Sequence, residues 1–341
     1  MIETEALPSW AAGTVNLASA RLGARGLFST DEFFAPLSRM LQDHSAVWLP
    51  DEYDDNGKWM DGWESRRKRV PGHDYAVVKL AMPGRINGFD VDTHYFTGNY
   101  PPFASIEAAY SIGGDPDPND DRAWTELVAK SPLGSSRHHF FENADKDRIW
   151  THLRLHIYPD GGIARLRVYG TAAFDWSRVT PDEEIDLGFI FHGAKALHWS
   201  DAHYGHPDKL LGPGPGLNMG DGWETKRRRG PGHDWTIIRL GHPGILRRII
   251  VDTQLFKGNF PDTCEIRGAY LPGHSDVFTE AEILGSENWK TILAPKKLQM
   301  DHAHEFGGAD LADIGPITHI RYAMHPDGGT MRLRLFGVKA S

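Results

Sequence analysis

A single cysteine, Cys264, in 341 residues leaves no partner for an internal disulfide and no thiolate set for a zinc centre. So thiol-poor a chain suits a reducing compartment, and the cytoplasm is the expected location. No stretch approaches the ~20 consecutive apolar residues of a membrane span. Residues Met1 to Ala20 lack a basic region followed by a long apolar run, so neither export nor membrane anchoring is expected. Positive charge is also in deficit, because 37 Lys and Arg against 46 Asp and Glu give a net charge of −9. Nucleic acid is therefore an unsuitable partner, since phosphate binding needs a basic surplus over much of a face. The sequence has no Gly-x-Ser-x-Gly elbow, no Gly-x-x-x-x-Gly-Lys phosphate loop and no His-Glu-x-x-His zinc helix.

Turn formers, by contrast, are abundant, with 37 Gly and 22 Pro spread along the chain. No long segment carries a clean helical apolar period, so many short strands joined by tight turns are expected, an all-β fold. With 40% hydrophobic and 24% charged residues the composition is that of a globular protein, and the length favours two domains.

The chain repeats itself. The segment Asp61-Gly-Trp-Glu-Ser-Arg-Arg-Lys-Arg-Val-Pro-Gly-His-Asp74 returns as Asp221-Gly-Trp-Glu-Thr-Lys-Arg-Arg-Arg-Gly-Pro-Gly-His-Asp234, and positions 61–110 and 221–270 agree without a gap at 23 of 50 places. Ser29 to Leu41 resembles Ser200 to Leu211, and Thr151-His-Leu-Arg, Pro159-Asp-Gly-Gly162 and Arg165-Leu-Arg return from Thr318, Pro326 and Arg332. A period this long marks whole domains, not layers of an array. The polar, acidic stretch Thr171 to Ile185 reads as the linker, which gives domains over 1–175 and 186–341.

Within each copy, Leu153, Leu155 and Ile157 alternate with His152, Arg154 and His156, as in a half-buried strand. The Pro159-Asp-Gly-Gly162 turn and the alternating run Arg165–Tyr169 suggest an antiparallel hairpin, repeated at Ile320–Phe336. Strands also fit Tyr75–Leu80, Phe89–Thr93 and Ile106–Tyr110, with counterparts at Trp235–Leu240, Ile249–Thr253 and Ile266–Tyr270. Thr30–Gln42 and Ala202–Leu211 are expected to hold a helical turn or two. The pattern is that of a sandwich or jelly roll in each half.

The duplicated Asp-Gly-Trp-Glu and Pro-Gly-His-Asp blocks, Val91-Asp-Thr93 and Val251-Asp-Thr253, Gly98-Asn99 and Gly258-Asn259, and the paired Pro-Asp-Gly-Gly turns together resemble the allantoicase family. The resemblance runs from about Leu17 to Val338. It implies two tandem jelly-roll repeats of galactose-binding-like β-sandwich type, a homo-oligomer, and a hydrolase of C–N bonds in linear amidines. The reaction implied is the splitting of allantoate into ureidoglycolate and urea during purine degradation.

Such a substrate carries one carboxylate and two ureido groups on a single carbon. Arginine is shaped for the carboxylate, so Arg67, Arg69, Arg227 and Arg229 are candidate substrate ligands, with Asn99 and Asn259 as polar partners for the ureido groups. Glu64 and Glu224 could accept ureido N–H bonds or move protons. His73 and His233, after Pro-Gly at a strand mouth, suit general acid or base work. Asp92 and Asp252, at strand exits, could hold a water or orient a histidine. Each has a plainer reading: a solvated charged loop for the arginines, a turn-bonded histidine, a turn-capping aspartate.

Trp63 and Trp223 are expected in the core or a pocket wall, not in catalysis. The face bearing His152, Arg154, His319 and Arg321 is expected to be exposed or to form an interface. His302-Ala-His304 puts two imidazoles on one side of a strand, with His138-His139 in the corresponding part of the first copy. Without a third ligand, these histidines assign no metal; no cofactor is called for and a divalent ion is left open. Cys264, in a strand and without a counterpart at Ala104, is a poor nucleophile. The alternatives are a non-catalytic pair of jelly rolls binding a small molecule, or a hydrolase of a related ureido acid.

Overall fold

A computed structural model describes residues 7–11, 14–273, 278–279, 281–282, 285 and 288–340. The chain divides between Ala173 and Phe174 into two units of the same architecture. The outer ends of the expected domain ranges, residues 1–6 and Ser341, lie outside the described residues.

In the first unit one long strand, Asp74–Asp92, organises the rest. Its first half pairs with Arg25–Ser29 on one side and Ile149–Tyr158 on the other. Its second half pairs with Arg165–Ala172 and Phe140–Glu142. The sheet continues through Phe103–Ala109 to Thr125–Pro132, and Val15–Asn16 adds to the edge of Arg165–Ala172; every pairing is antiparallel. The second unit repeats the order around Asp234–Asp252, flanked by Ile317–His325 and Arg332–Lys339.

The separate strands expected at Tyr75–Leu80 and Phe89–Thr93 are therefore one strand. Its apolar pattern breaks around Pro83-Gly84, where the strand exchanges one pair of neighbours for another while backbone pairing continues. A larger correction concerns the hairpin. Ile149–Tyr158 and Arg165–Ala172 do not pair with each other, because both pair with the long strand lying between them. The Pro-Asp-Gly-Gly turn leads instead into Gly162–Ile163, which pairs with Trp63–Glu64; Gly329–Thr330 pairs likewise with Trp223–Glu224.

Leu153, Leu155 and Ile157 are fully buried, as are Phe89, Val91 and Val168. Each such side chain contributes about 1.5–3 kcal/mol by leaving water. The opposite face of the same strand is not exposed. His152 and Arg154 are also buried, because the segment after Phe103–Ala109 folds back and Arg154 donates to Glu107, Asp121 and the Pro118 carbonyl. Helical turns occur at Leu37–Leu41 and Pro207–Leu211, both 3₁₀. Among the described residues no helix is long and apolar enough to cross a membrane.

Candidate active site

The short strand Trp63–Glu64 sets the site. Trp63 is fully buried and its indole N–H donates to the Asp31 carbonyl at 2.8 Å, which fixes the strand and turns the neighbouring Glu64 to the other side. Glu64 is 8% exposed, and its Oε1 accepts a hydrogen bond from Asn99 Nδ2 at 2.7 Å. Burial pushes its pKa above the ordinary carboxyl value, and the Asn99 bond offsets this only in part. In the second unit Asn259 donates to Glu224 in the same way.

The Pro-Asp-Gly-Gly turns hold these asparagines in place. Gly162 N–H donates to the Asn99 carbonyl at 2.8 Å, and Gly329 N–H to that of Asn259 at 2.7 Å. Gly161 has φ +141°, and a Cβ there would lie 2.7 Å from the Asn99 carbonyl oxygen, so only glycine fits. At Gly162 a Cβ would stand 1.9 Å from the Phe96 ring. The second unit repeats both constraints at Gly328 and Gly329.

Beside Glu64 runs the basic segment, anchored where Lys68 N–H donates to Asp160 at 2.7 Å and Arg228 N–H to Asp327 at 2.8 Å. Alternate side chains are engaged: Arg66 pairs with Asp31, Lys68 with Asp74, Lys226 with Asp201 and Arg228 with Asp234. The intervening Arg67, Arg69, Arg227 and Arg229 are exposed and have no hydrogen bond or ion pair among the described residues. In the second unit Glu224, Arg227 and Asn259 line one cavity of about 340 Å³, with Tyr204 and Asp327 also in its wall. That volume falls in the range of small-molecule sites, ~300–1,000 Å³. Arg229 is not among the lining residues.

The remaining candidates make other contacts. His73 Nε2 is 2.8 Å from His156 Nδ1, and His156 Nε2 is 2.7 Å from Glu107, which also accepts from Arg154. Burial first, then the neighbouring His156, holds His73 below the usual histidine pKa. His233 packs against His325 with ring centres 4.4 Å apart and the rings tilted, and does not line the cavity. Asp92 and Asp252 cap turns, accepting from the His94 and Gln254 backbone N–H groups at 2.8 Å.

The paired histidines also separate. His304 bonds the Val251 carbonyl and accepts from Gln299 N–H, and His139 bonds the Val91 carbonyl and accepts from Gly134 N–H. These two are equivalent members of the framework. His138 instead joins Asp92 and His94, the last a residue that reading the sequence passed over although the Asp92-Thr-His94 spacing signals it. Trp223 is fully buried, and burial pushes the Cys264 thiol up to about 12.

Comparison with known proteins matches the chain to allantoicases along nearly its whole length. The allantoicase repeat model fits residues 15–173 and again 185–340. A relative from Rhizobium meliloti described as "Probable allantoicase" is 52% identical over 98% of this chain and 96% of its own. One from Photobacterium profundum with the same description is 49% identical over 96% of this chain and 97% of its own. The crystal structure of allantoicase from Saccharomyces cerevisiae superposes with a TM-score of 0.79 at 35% identity, covering 95% of this chain and 93% of that one. The chain, a hydrolase of two jelly-roll repeats, belongs to the allantoicase family.

Proposed function

We propose that the reaction of this family, hydrolysis of allantoate to ureidoglycolate and urea, takes place over the Glu–Asn pair beside the unengaged arginine in each repeat. One observation carries the reading: in the second unit a carboxyl tethered by an asparagine shares a cavity with an arginine that has no hydrogen-bond or ion-pair partner among the described residues. Arg227, and Arg67 in the first repeat, pairs with the substrate carboxylate through its planar fork. Asn259 and Asn99 hold the glutamate and leave their amide oxygens for a ureido N–H. Arg69 and Arg229 add positive potential that draws the anion in.

The buried Glu64 is suited to the proton transfer, because its raised pKa brings the acid form closer to neutral pH. It protonates the departing ureido nitrogen while water attacks the central carbon. The C–N bond breaks, a C–O bond forms, and the proton lost by water returns to the carboxylate. Glu224 does the same in the second repeat. His73, His233, Asp92 and Asp252 take no direct part in this scheme.

Incubating the purified protein with allantoate tests the chemistry. Urea and ureidoglycolate are expected in equal amounts, whereas ammonia would mean attack at the ureido carbonyl and overturn the scheme. Ureidoglycolate assayed in parallel separates this activity from that of a related ureido-acid hydrolase. A cytoplasmic location is supported by the single buried Cys264, and a homo-oligomer by the family resemblance; fractionation and sedimentation test these.

A further inference from the structure

The two repeats share a framework, so positions where only one carries ligating side chains show what the framework itself does not require. One such place lies at the end of the long strand in the first unit. Asp92, His94 and His138 each offer a donor atom, and these atoms lie within 4.8 Å of one another. His94 Nδ1 is 2.6 Å from Asp92 Oδ1, His138 Nδ1 is 3.9 Å from Asp92 Oδ2, and the two imidazole rings are centred 4.8 Å apart. Asp90 stands beside them, 2.9 Å from His138 Nδ1. Both aspartates are buried, while the His94 and His138 side chains keep 12% and 21% of their surface, enough for an ion to enter.

The strand register gives the equivalent residues in the second unit. Asp90 pairs with Phe140 as Ile250 pairs with Glu305, so His138 corresponds to Ala303. Asp92 corresponds to Asp252, and His94 to Gln254. The turn survives intact, since Asp252 still accepts from the Gln254 N–H at 2.8 Å. Asp90, His94 and His138 thus correspond to Ile250, Gln254 and Ala303, while the strand, the turn and the histidine pair His139/His304 are common to both repeats. The framework needs one aspartate here and nothing else of the cluster.

We propose that Asp92, His94 and His138, flanked by Asp90, form a binding site for a first-row divalent transition-metal ion of the zinc type, present in the first repeat and without its equivalent residues in the second. Two imidazole nitrogens and a carboxylate are a borderline donor set that favours such ions over magnesium or calcium. Three protein ligands leave a coordination position open. Each imidazole Nδ1 faces a carboxylate oxygen, so the ion enters in competition with a proton and binds more tightly as pH rises. Arg167 lies 3.6 Å and 3.7 Å from Asp90 and Asp92, too far for a hydrogen bond, and offsets part of their charge without blocking the donor atoms. The site stands whether or not the Glu–Asn–Arg cavity is where allantoate reacts.

The test uses the full chain, stripped with a chelator, dialysed, and titrated with zinc and separately with cobalt chloride. Roughly one ion per chain by elemental analysis is expected, with visible ligand-field bands from the cobalt form. The variant Asp90→Ile/His94→Gln/His138→Ala, which installs the second repeat's own residues, should lose both signals while unfolding cooperatively. Should the triple variant fail to fold, His94→Gln and His138→Ala singly are each expected to weaken zinc binding by at least ~10-fold. His302→Ala, outside the cluster, should leave it unchanged. Failure of the wild-type chain to take up zinc or cobalt stoichiometrically, or equal uptake by the cluster variants, overturns the proposal.

Discussion

Arg67 and Arg227 offer the sharpest test of the catalytic reading, because each is exposed and bonded to nothing else among the described residues. Truncation to alanine therefore removes no internal contact, and stability should change by less than ~0.5 kcal/mol. A hydrogen-bonded ion pair with a carboxylate is worth about 1.5–3 kcal/mol when shielded from water, and a partly solvated one less. For an arginine at the wall of an open cavity about 1–2 kcal/mol is reasonable, or a ~5- to 30-fold fall in kcat/KM at that site. The presence of the same residues in both repeats makes the arithmetic distinctive. If both repeats work equally, Arg67→Ala and Arg227→Ala should each keep at least about half of wild-type kcat/KM, and only the double variant should show the full ~5- to 30-fold loss. If one repeat works, one single variant reproduces that loss and the other is silent. Urea release measured over a range of allantoate concentrations, alongside melting curves, separates these outcomes. A double variant with wild-type kcat/KM, or one whose loss tracks a lowered melting point, would refute the assignment of these arginines to the substrate.

Three further outcomes follow from the geometry. Glu64 has a folded-state pKa above its ordinary value, so between the two values the folded chain holds more protons than the unfolded one and stability falls as pH rises. Glu64→Gln should abolish that slope, seen as the difference between wild-type and variant denaturation curves from pH 4 upward, and should remove the first repeat's share of the activity. Arg165 is fully buried, with Nη2 2.5 Å from Asp61, so Arg165→Met strands a buried carboxylate and should cost about 3–5 kcal/mol in the first unit's unfolding transition, partly recovered by adding Asp61→Asn. Gly161→Ala, forced against the Asn99 backbone at φ +141°, should cost about 1–3 kcal/mol and lower turnover by displacing Asn99 from Glu64, with Gly98→Ala, in open space, as the control.

The duplicated blocks made much of this legible. The same turn formers and alternating apolar residues appear twice in the same order, which gives two sandwiches, and they place Glu64, Arg67 and Asn99 beside Glu224, Arg227 and Asn259 as candidates. Long-range pairing escaped. Leu153–Ile157 and Arg165–Tyr169 are local neighbours in sequence, yet the strand Asp74–Asp92 lies between them. Nothing in the alternation of one strand records which distant strand it meets. The burial of His152 and Arg154 was hidden for a related reason, because the covering segment carries no periodic pattern. His94 is not marked by recurrence, which points to residues present in both copies, because the second copy has Gln254.

Recurrence alone does not separate chemistry from folding. Trp63 and Trp223 recur because they fill the core, and Arg165 and Arg332 because their buried guanidinium groups bond several backbone carbonyls. Losing either would cost stability, and that is reason enough to keep it. Arg67 and Arg227 recur without filling the core or bonding a neighbour among the described residues, so packing supplies no reason for them, and the proposed carboxylate contact does. Arg69 and Arg229 satisfy the same criterion, but Arg229 lies outside the cavity that Arg227 lines. If cavity lining decides contact with substrate, Arg69→Ala and Arg229→Ala should slow capture of the anion in a way that added salt masks, whereas the Arg67 and Arg227 losses persist at high salt.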